Sequence, residues 1–391
     1  MRFNLWEDCN RVPLTELLSF VVDNRGKTVP TAPSGHKLIA TNCVTNNTLF
    51  PVYEKIRYLS EKTYQTWFRA HPISGDILFV NKGTPGRVCL VPDPVDFCIA
   101  QDMIALRADE SKIYPKYLFA VLRSREIQQQ IYNTNVGDVI PHFKKQFLDQ
   151  LLIPIPERSI QESIGDLYYV LSLKAECNKK INDNLLQQAQ ALFKSWFVDF
   201  EPFSNQKPSD WSVSTLGNVS IMGAGGDKPQ NVSPIKSNLC QYPIYSNGLS
   251  EEGLYGFTDK PKIFKESVTV SARGTIGFVC LRHIPYVPIV RLVTLIPKTE
   301  IISAKYLYLW LKQLHITGTG TTQQQLTVPD FRKTEILVPS QEIVTLFTAT
   351  VEPIFKKIWA NQNENEKLSS LRDTLLPKLM SGELDVSDID L

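Results

Sequence analysis

The chain has 391 residues, of which 43% are hydrophobic, 21% charged and 10% aromatic, with 42 basic side chains against 40 acidic ones and a formal net charge of +2. A single hydrophobic core stops growing at roughly 250–300 residues, so two or more cores are expected. The composition excludes wholesale disorder, collagen-like structure and a small disulfide scaffold. No apolar run approaches the roughly 18 residues of a membrane-spanning helix, and the opening MRFNLWEDCN lacks the apolar stretch of a signal peptide. Seven cysteines without a Cys-x-x-Cys fit a reduced, cytoplasmic setting. The small net charge neither demands nor excludes nucleic acid, and a binder would have to concentrate its positive charge locally.

In chain order, the first strong element is GDILFVNKGTPGRVCL (Gly75–Leu90), an alternating apolar strand followed by a G-T-x-G loop and x-V-C-L. Period-two alternation reads as a half-buried strand, and the glycines permit a tight, positive-φ turn. The same phrase returns about 190 residues later as ESVTVSARGTIGFVCL (Glu266–Leu281). Gly83, Thr84, Gly86, Val88, Cys89 and Leu90 match Gly274, Thr275, Gly277, Val279, Cys280 and Leu281 at one offset. More matches follow in order. Tyr117-Leu118 and Tyr306-Leu307 each open an apolar helical stretch, and Ile140–Lys145 (IPHFKK) resembles Val328–Lys333 (VPDFRK). Leu151–Pro156 (LLIPIP) then resembles Ile336–Pro339 (ILVP), and each proline-rich exit leads into a long helical pattern near Gln161-Glu162 or Gln341-Glu342.

Both long patterns have three- and four-residue apolar steps. The first runs through Ile164, Leu167, Leu171, Ile181, Leu185 and Leu192, with Lys174, Asn178 and Gln188 in the gaps. The second runs through Phe347, Val351, Ile354, Ile358, Leu368, Leu375 and Leu379, with Asn361, Asn365 and Arg372 in the gaps. Such steps make a coiled-coil seam, and polar residues in a seam tend to fix register and partner number. Each pattern spans roughly 50–60 Å at the helical rise, longer than one domain face, which favours the two helices pairing with each other over each lying on its own domain. Pro353 and Pro377 are expected to kink or end the second helix. The predicted fold is α+β: two tandem domains separated by two long helices that pair as an antiparallel coiled coil. The predicted division is a globular domain at 1–155, a helical region at 156–205, a second globular domain at 206–338, and a distal helical region with an acidic tail at 339–391. A period this long excludes a solenoid.

Catalytic motifs do not stand out. GAGGDKP (Gly223–Pro229) mimics a phosphate loop, but its lysine is misplaced and it reads as a turn. The histidines His36, His71, His142, His283 and His315 are scattered in sequence, and none has a second metal ligand at the usual spacing. Cys89 and Cys280 share one repeat position in apolar strands, which points to packing rather than reactivity. Binding chemistry is more evident. Loops of the first copy carry Asn46, Asn47, Lys82, Thr84, Arg87, His142, Lys144 and Lys145. Loops of the second carry Tyr245, Asn247, Arg273, Thr275, Gln323, Gln324, Gln325, Arg332 and Lys333. Asn and Gln can contact adenine through two hydrogen bonds, Arg and Lys can contact guanine, and Thr methyls touch thymine. Lys, Arg and glycine N–H groups can hold phosphates. A basic residue precedes G-T in both copies, Lys82 and Arg273, whereas VGDVIPHF and TQQQLTVPDF share a frame and differ in polar content. Two readers on one scaffold with different loops would recognise two different short sequences.

At this point the chain resembles the specificity subunit of type I restriction–modification systems, over essentially its whole length. The likeness rests on the duplicated G-T-x-G-x-V phrase, YPIYSNG followed by GLYGF (Tyr242–Phe257), TGTGTTQQQL before P-x-F, and the proline exits into long helices. LRDTLLPKLMSGEL (Leu371–Leu384) also looks like the distal conserved region of such subunits. The resemblance implies a non-catalytic subunit whose two target-recognition domains each read half of a split target in double-stranded DNA. It implies that the helices set the unread gap and dock two methyltransferase subunits. Restriction/translocase subunits then join, and S-adenosylmethionine, ATP and Mg belong to partner subunits, with no cofactor held by this chain and no membrane contact. Two readers on one face of B-DNA would sit about one helical turn apart, roughly 34 Å. The rival readings are a duplicated protein-interaction scaffold that touches no nucleic acid, and the recognition half of a fused enzyme.

Overall fold

A computed structural model describes residues 4–24, 26–134, 140–318 and 325–384. The chain divides into two compact units, residues 1–181 with 360–391, and residues 182–359. Among the described residues, no helix is long and apolar enough to cross a membrane.

Each unit has the same three sheets. In the first unit, Leu18–Val22, Met103–Ala108, Ile77–Val80 and Val88–Leu90 form an antiparallel sheet in that order. A second sheet sets His36–Ile39 between antiparallel Arg57–Leu59 and parallel Phe97–Ile99. Asn10–Pro13 pairs with Leu152–Ile155 to make the third. In the second unit the corresponding sheets are Ser220–Ala224, Val293–Pro297, Ser267–Val270 and Val279–Arg282; then Tyr242–Tyr245 between Leu254–Thr258 and parallel Val287–Pro288; and Ser212–Thr215 with Glu335–Val338. The strand Ile77–Val80 is buried along its whole length rather than half-buried as read from the sequence, because Ile77 and Phe79 enter one core and Leu78 and Val80 another, so the sheet is covered on both faces. Cys89 and Cys280 are buried in their strands, and burial raises both thiol pKa values, that of Cys280 to about 12. Packing is therefore their role.

The structure corrects one repeat match. Leu152–Ile155 and Glu335–Val338 are equivalent strands. The same spacing pairs Phe143 with Leu326, not with Phe331: Phe143 donates its N–H to Asn81 O at 2.8 Å, and Leu326 donates to Ala272 O at 3.0 Å. IPHFKK and VPDFRK share letters five residues out of structural frame, because backbone pairing to the G-T-x-G loop fixes the register. Tyr117 and Tyr306 are true equivalents. Their hydroxyls donate to Pro154 O at 2.9 Å and Leu337 O at 2.7 Å, tying each short helix to the exit strand.

The two long helices run Arg158–Phe197 and Gln341–Met380. In the first unit, Ile164, Leu167 and Tyr168 pack with Leu376, Leu379 and Met380 in one core that also holds Phe79, Tyr117 and Phe143. In the second, Ala189, Phe193 and Phe197 share a core with Phe347, Val351 and Phe355. Rising numbers in one helix meet falling numbers in the other, so the helices pair antiparallel. Gly165 has a steric reason: a Cβ there would lie 2.6 Å from Tyr117 N on the helix Pro115–Leu122.

The seam departs from the expected one. Ile181 is 41% exposed and Gln188 is exposed, while Ser172 and Ala189 are buried in their place; Asn178 is buried in the seam as expected. Pro353 and Pro377 lie inside the second helix without ending it. Buried Val351, Phe355, Leu376 and Leu379 hold the helix on its core on both sides of each proline. Polar groups occupy the middle of the seam. Asn178 donates to Glu364 Oε2 at 2.8 Å and Asn365 Oδ1 at 2.9 Å, and Asn365 donates to Ala175 O at 3.1 Å. Asn182 donates to Ile358 O at 3.2 Å, the counterpart of the Asn365 bond under the repeat. Removing Asn178 leaves Asn365 and Glu364 short of a donor. Asn178→Ala is expected to cost about 1–3 kcal/mol of unfolding free energy, read from the denaturant midpoint at constant m.

Candidate nucleic-acid interface

In the first unit, Asn81–Arg87 is a closed turn between two strands. Gly86 donates to Val80 O and Val80 to Arg87 O, both at 3.0 Å. Gly83 and Gly86 sit at φ +84° and +87°, where an L-residue is strained, so glycine is required. The turn pairs with a distant segment: Gly83 donates to Pro141 O at 2.9 Å, and Lys82 lies opposite His142 in an antiparallel bridge. Lys82, Thr84 and Arg87 are thereby brought together with His142 and Lys144. Lys82, Arg87 and Lys144 are exposed, with no carboxylate in ion-pair range among the described residues. Three unneutralised cations on adjoining loops suit phosphate or base contact.

Other expected residues have structural duties. Lys145 is ion-paired with Asp23, and burial lowers its pKa. Asn46 accepts the Val88 N–H at 2.8 Å, which ties its loop to the G-T-x-G strand, whereas Asn47 is exposed. Sequence reasoning missed Arg123, a buried cation. Its Nη2 donates to Thr45 O at 3.2 Å, Thr48 O at 2.5 Å and Val88 O at 2.7 Å, and its guanidinium covers Phe119 at 4.4 Å. Burial lowers its pKa. The available signal was its counterpart Lys312, a basic residue six positions after Tyr306 as Arg123 is after Tyr117, which in the structure covers Tyr308 at 5.7 Å. The structure also brings two of the sequence-scattered histidines together, with His36 and His71 both stacked on the ring of Tyr64 at 4.0 and 4.3 Å. No group of three or more metal-ligating side chains that could hold an ion occurs among the described residues.

The second unit repeats the turn with other letters. Ser271 donates to Phe278 O at 2.9 Å and Gly277 to Ser271 O at 3.0 Å, with Gly274 and Gly277 at φ +69° and +84°. Exposed Arg273 donates Nε and Nη2 to Gln325 Oε1 at 3.2 and 3.0 Å, so these two residues form one polar site. Thr275 Oγ1 is buried beside them, without a hydrogen-bond partner among the described residues. Gln323 and Gln324 lie outside the described residues. Asn247 holds backbone: it donates to Val290 O and accepts from Ala272 N, each at 2.7 Å. Tyr245 is a platform, with Arg282 3.6 Å above its ring and Tyr286 against it at 5.7 Å. Burial raises its phenol pKa. Arg332 and Lys333 follow the short helix Val328–Phe331, where Arg332 O accepts the Gly217 N–H at 3.0 Å. No hydrogen bond among the described residues joins them to the Ser271–Gly277 turn.

Two units of one topology, each presenting a glycine-pinned turn against a polar segment, define a duplicated recognition protein. The model of the family described as type I restriction modification DNA specificity domain matches residues 18–187 and 208–370, and the chain belongs to that family. It is a specificity component, concerned with DNA sequence choice, and not a catalytic subunit. The chain is 25% identical over 353 residues to the type I restriction enzyme MjaIX specificity subunit of Methanocaldococcus jannaschii, covering 81% of this chain and 79% of that one. It is 26% identical over 400 residues to the HindI specificity subunit of Haemophilus influenzae, covering 79% and 86%. The fold matches the crystal structure of a type I restriction–modification S subunit from M. genitalium with a TM-score of 0.54 at 19% identity, over 97% of this chain and 98% of that one.

A scaffold role for Asn247 has a direct readout. Asn247→Ala removes the acceptor of the Ala272 amide. Hydrogen exchange at Ala272 is expected to speed up by roughly 5- to 150-fold, the equivalent of about 1–3 kcal/mol.

Proposed function

We propose that the chain reads a bipartite target in double-stranded DNA, one half per unit, within a type I restriction–modification complex. The observation that carries this reading is a shared loop frame with divergent letters. The turn of Lys82, Thr84 and Arg87 pairs through Lys82 with the segment of His142 and Lys144 in one unit, while the turn of Arg273 and Thr275 pairs with Gln325 in the other. Equal backbones keep the two readers comparable, and unequal side chains make them read different sequences. In this reading the recognition domains are residues 1–155 and 206–338, and the helical regions 156–205 and 339–391 set the spacer. These helices dock two methyltransferase subunits, and restriction/translocase subunits complete the assembly. The candidate base and phosphate contacts are Asn47, Lys82, Thr84, Arg87, His142 and Lys144 in the first domain, and Arg273, Thr275, Gln323, Gln324 and Gln325 in the second. Asn46, Lys145, Tyr245 and Asn247 shape the loops. Arg332 and Lys333 are peripheral phosphate contacts.

Two experiments test the reading. Modified-base sequencing of cells with and without the gene, alongside its cognate methyltransferase, is expected to reveal a motif of two short blocks whose adenine methylation vanishes on deletion. An unchanged methylome, together with no DNA binding by the purified complex, would leave a protein-interaction scaffold. Inserting one helical turn after Asn182 and one after Asn365 is expected to lengthen the gap between the blocks. Retained methylation with the original gap would remove the helices as the spacer.

A further inference from the structure

The turn between Val287–Pro288 and Val293–Pro297 is held in a costly conformation. Val290 and Arg291 sit at φ +51° and +60°, in the left-handed region that L side chains avoid and β-branched ones avoid most. Neither residue is a glycine, and both are exposed, Val290 by 50%. Strain of this kind persists only where the surroundings impose it. Here they do. Val290 donates to Gly226 O and Arg291 to Gly225 O, each at 2.9 Å, Leu292 closes the turn on Ile289 O at 3.0 Å, and Gly225 donates back to Leu292 O at 2.8 Å. Gly225 is there for space, since a Cβ would lie 2.7 Å from Ile289 N. The segment GAGGDKP is not the turn read from the sequence: Gly223 and Ala224 end the strand Ser220–Ala224, Gly226 bridges Ile289, and the segment clamps this strained tip. From the other side, Asn247 binds Val290 O and the Ala272 N–H, linking the tip directly to the turn that carries Arg273 and Thr275.

The first unit lacks this arrangement. Its equivalent turn, between Phe97–Ile99 and Met103–Ala108, is Gln101–Asp102, and neither residue has a positive φ. There Asp102 O accepts the N–H of Asn81 at 2.9 Å, the place where the second unit uses the Asn247 side chain. The flipped turn replaces an acid by an exposed arginine with no ion-pair partner among the described residues. A strained, doubly clamped tip thus carries an exposed guanidinium and is joined through Asn247 to the turn of Arg273. We propose that Arg291 is a specificity-determining DNA contact of the second unit, its planar fork reading a base edge next to the site of Arg273 and Gln325. The inference rests on the DNA-recognition reading above. Guanine, with two acceptors on its major-groove edge, is the base such a fork suits best.

The test uses the full chain co-purified with its methyltransferase, and a pool of random duplexes selected by binding and sequenced. The wild-type complex is expected to enrich two short blocks. Arg291→Ala is expected to keep one block, lose base preference within the other, and bind the wild-type target about tenfold or more weakly. Its thermal midpoint should match the wild type, since the side chain is exposed. Arg291→Lys retains charge without the fork and is expected to show the same lost preference with a near-wild-type salt dependence. Unchanged blocks and affinity in both variants would overturn the assignment and leave Arg291 as a strained turn residue alone. Equal weakening of both blocks would make it a phosphate contact and likewise overturn it. A wild-type complex that enriches no sequence would sink the DNA reading itself, and this inference with it.

Discussion

The packing of Leu376, Leu379 and Met380 against Ile164, Leu167 and Tyr168 closes the core of the first unit, and Phe193 and Phe197 against Phe347 and Val351 does the same in the second. These contacts join segments 150 residues or more apart in the chain. Each buried side chain contributes on the order of 2 kcal/mol, so three of them rival the whole stability of a marginal domain. Neither core can close before its distant helical segment has arrived. The recognition loops rest on these cores through the short helices Pro115–Leu122 and Ala304–Gln313, whose tyrosines lock the exit strands into place.

The asparagines make this pairing specific. An all-apolar seam could slide by a turn at small cost, because one apolar contact resembles another. Asn178 and Asn365 meet each other and a backbone carbonyl, and any slip would leave their amides buried without partners. The register of the helix pair is thereby fixed by hydrogen bonds rather than by bulk hydrophobicity. That register in turn decides which residues complete each core.

Around the loops, labour is divided between residues that hold backbone and residues that face outward. Arg123, Asn46 and Asn247 bind carbonyl and amide groups and keep the turns in shape. Lys82, Arg87, Lys144 and Arg273 extend from those turns. Because the frame is fixed by backbone bonds and positive-φ glycines, the outward side chains can differ between copies without altering the fold. In the proposed reading, this lets one scaffold carry two different recognition surfaces. Asn247 and Tyr245, read from sequence as contacts, are each held within the unit, Asn247 on backbone groups and Tyr245 under Arg282.

The duplication, the two long helices, the glycine-pinned turns and the absence of evident catalytic motifs were legible in the residues alone. Each is a local pattern: period two, three-four steps, or glycine where only positive φ fits. The family resemblance followed from their order. What the chain alone could not decide was which polar side chain faces a backbone group and which faces solvent, because that depends on segments brought together from far apart. Ile181 fits the periodic seam yet lies exposed, while Ser172 and Ala189, outside that pattern, are buried. IPHFKK looks like VPDFRK, yet strand pairing sets the true register five residues away. Pro353 is expected from the sequence to kink or end the second helix, yet the helix continues through it to Met380. Arg291 carries no sequence signal at all, since its strained backbone exists only where Gly225, Gly226 and Asn247 converge on the turn. Local patterning thus determined the elements, and long-range hydrogen bonding and packing decided which of their side chains remain free to act.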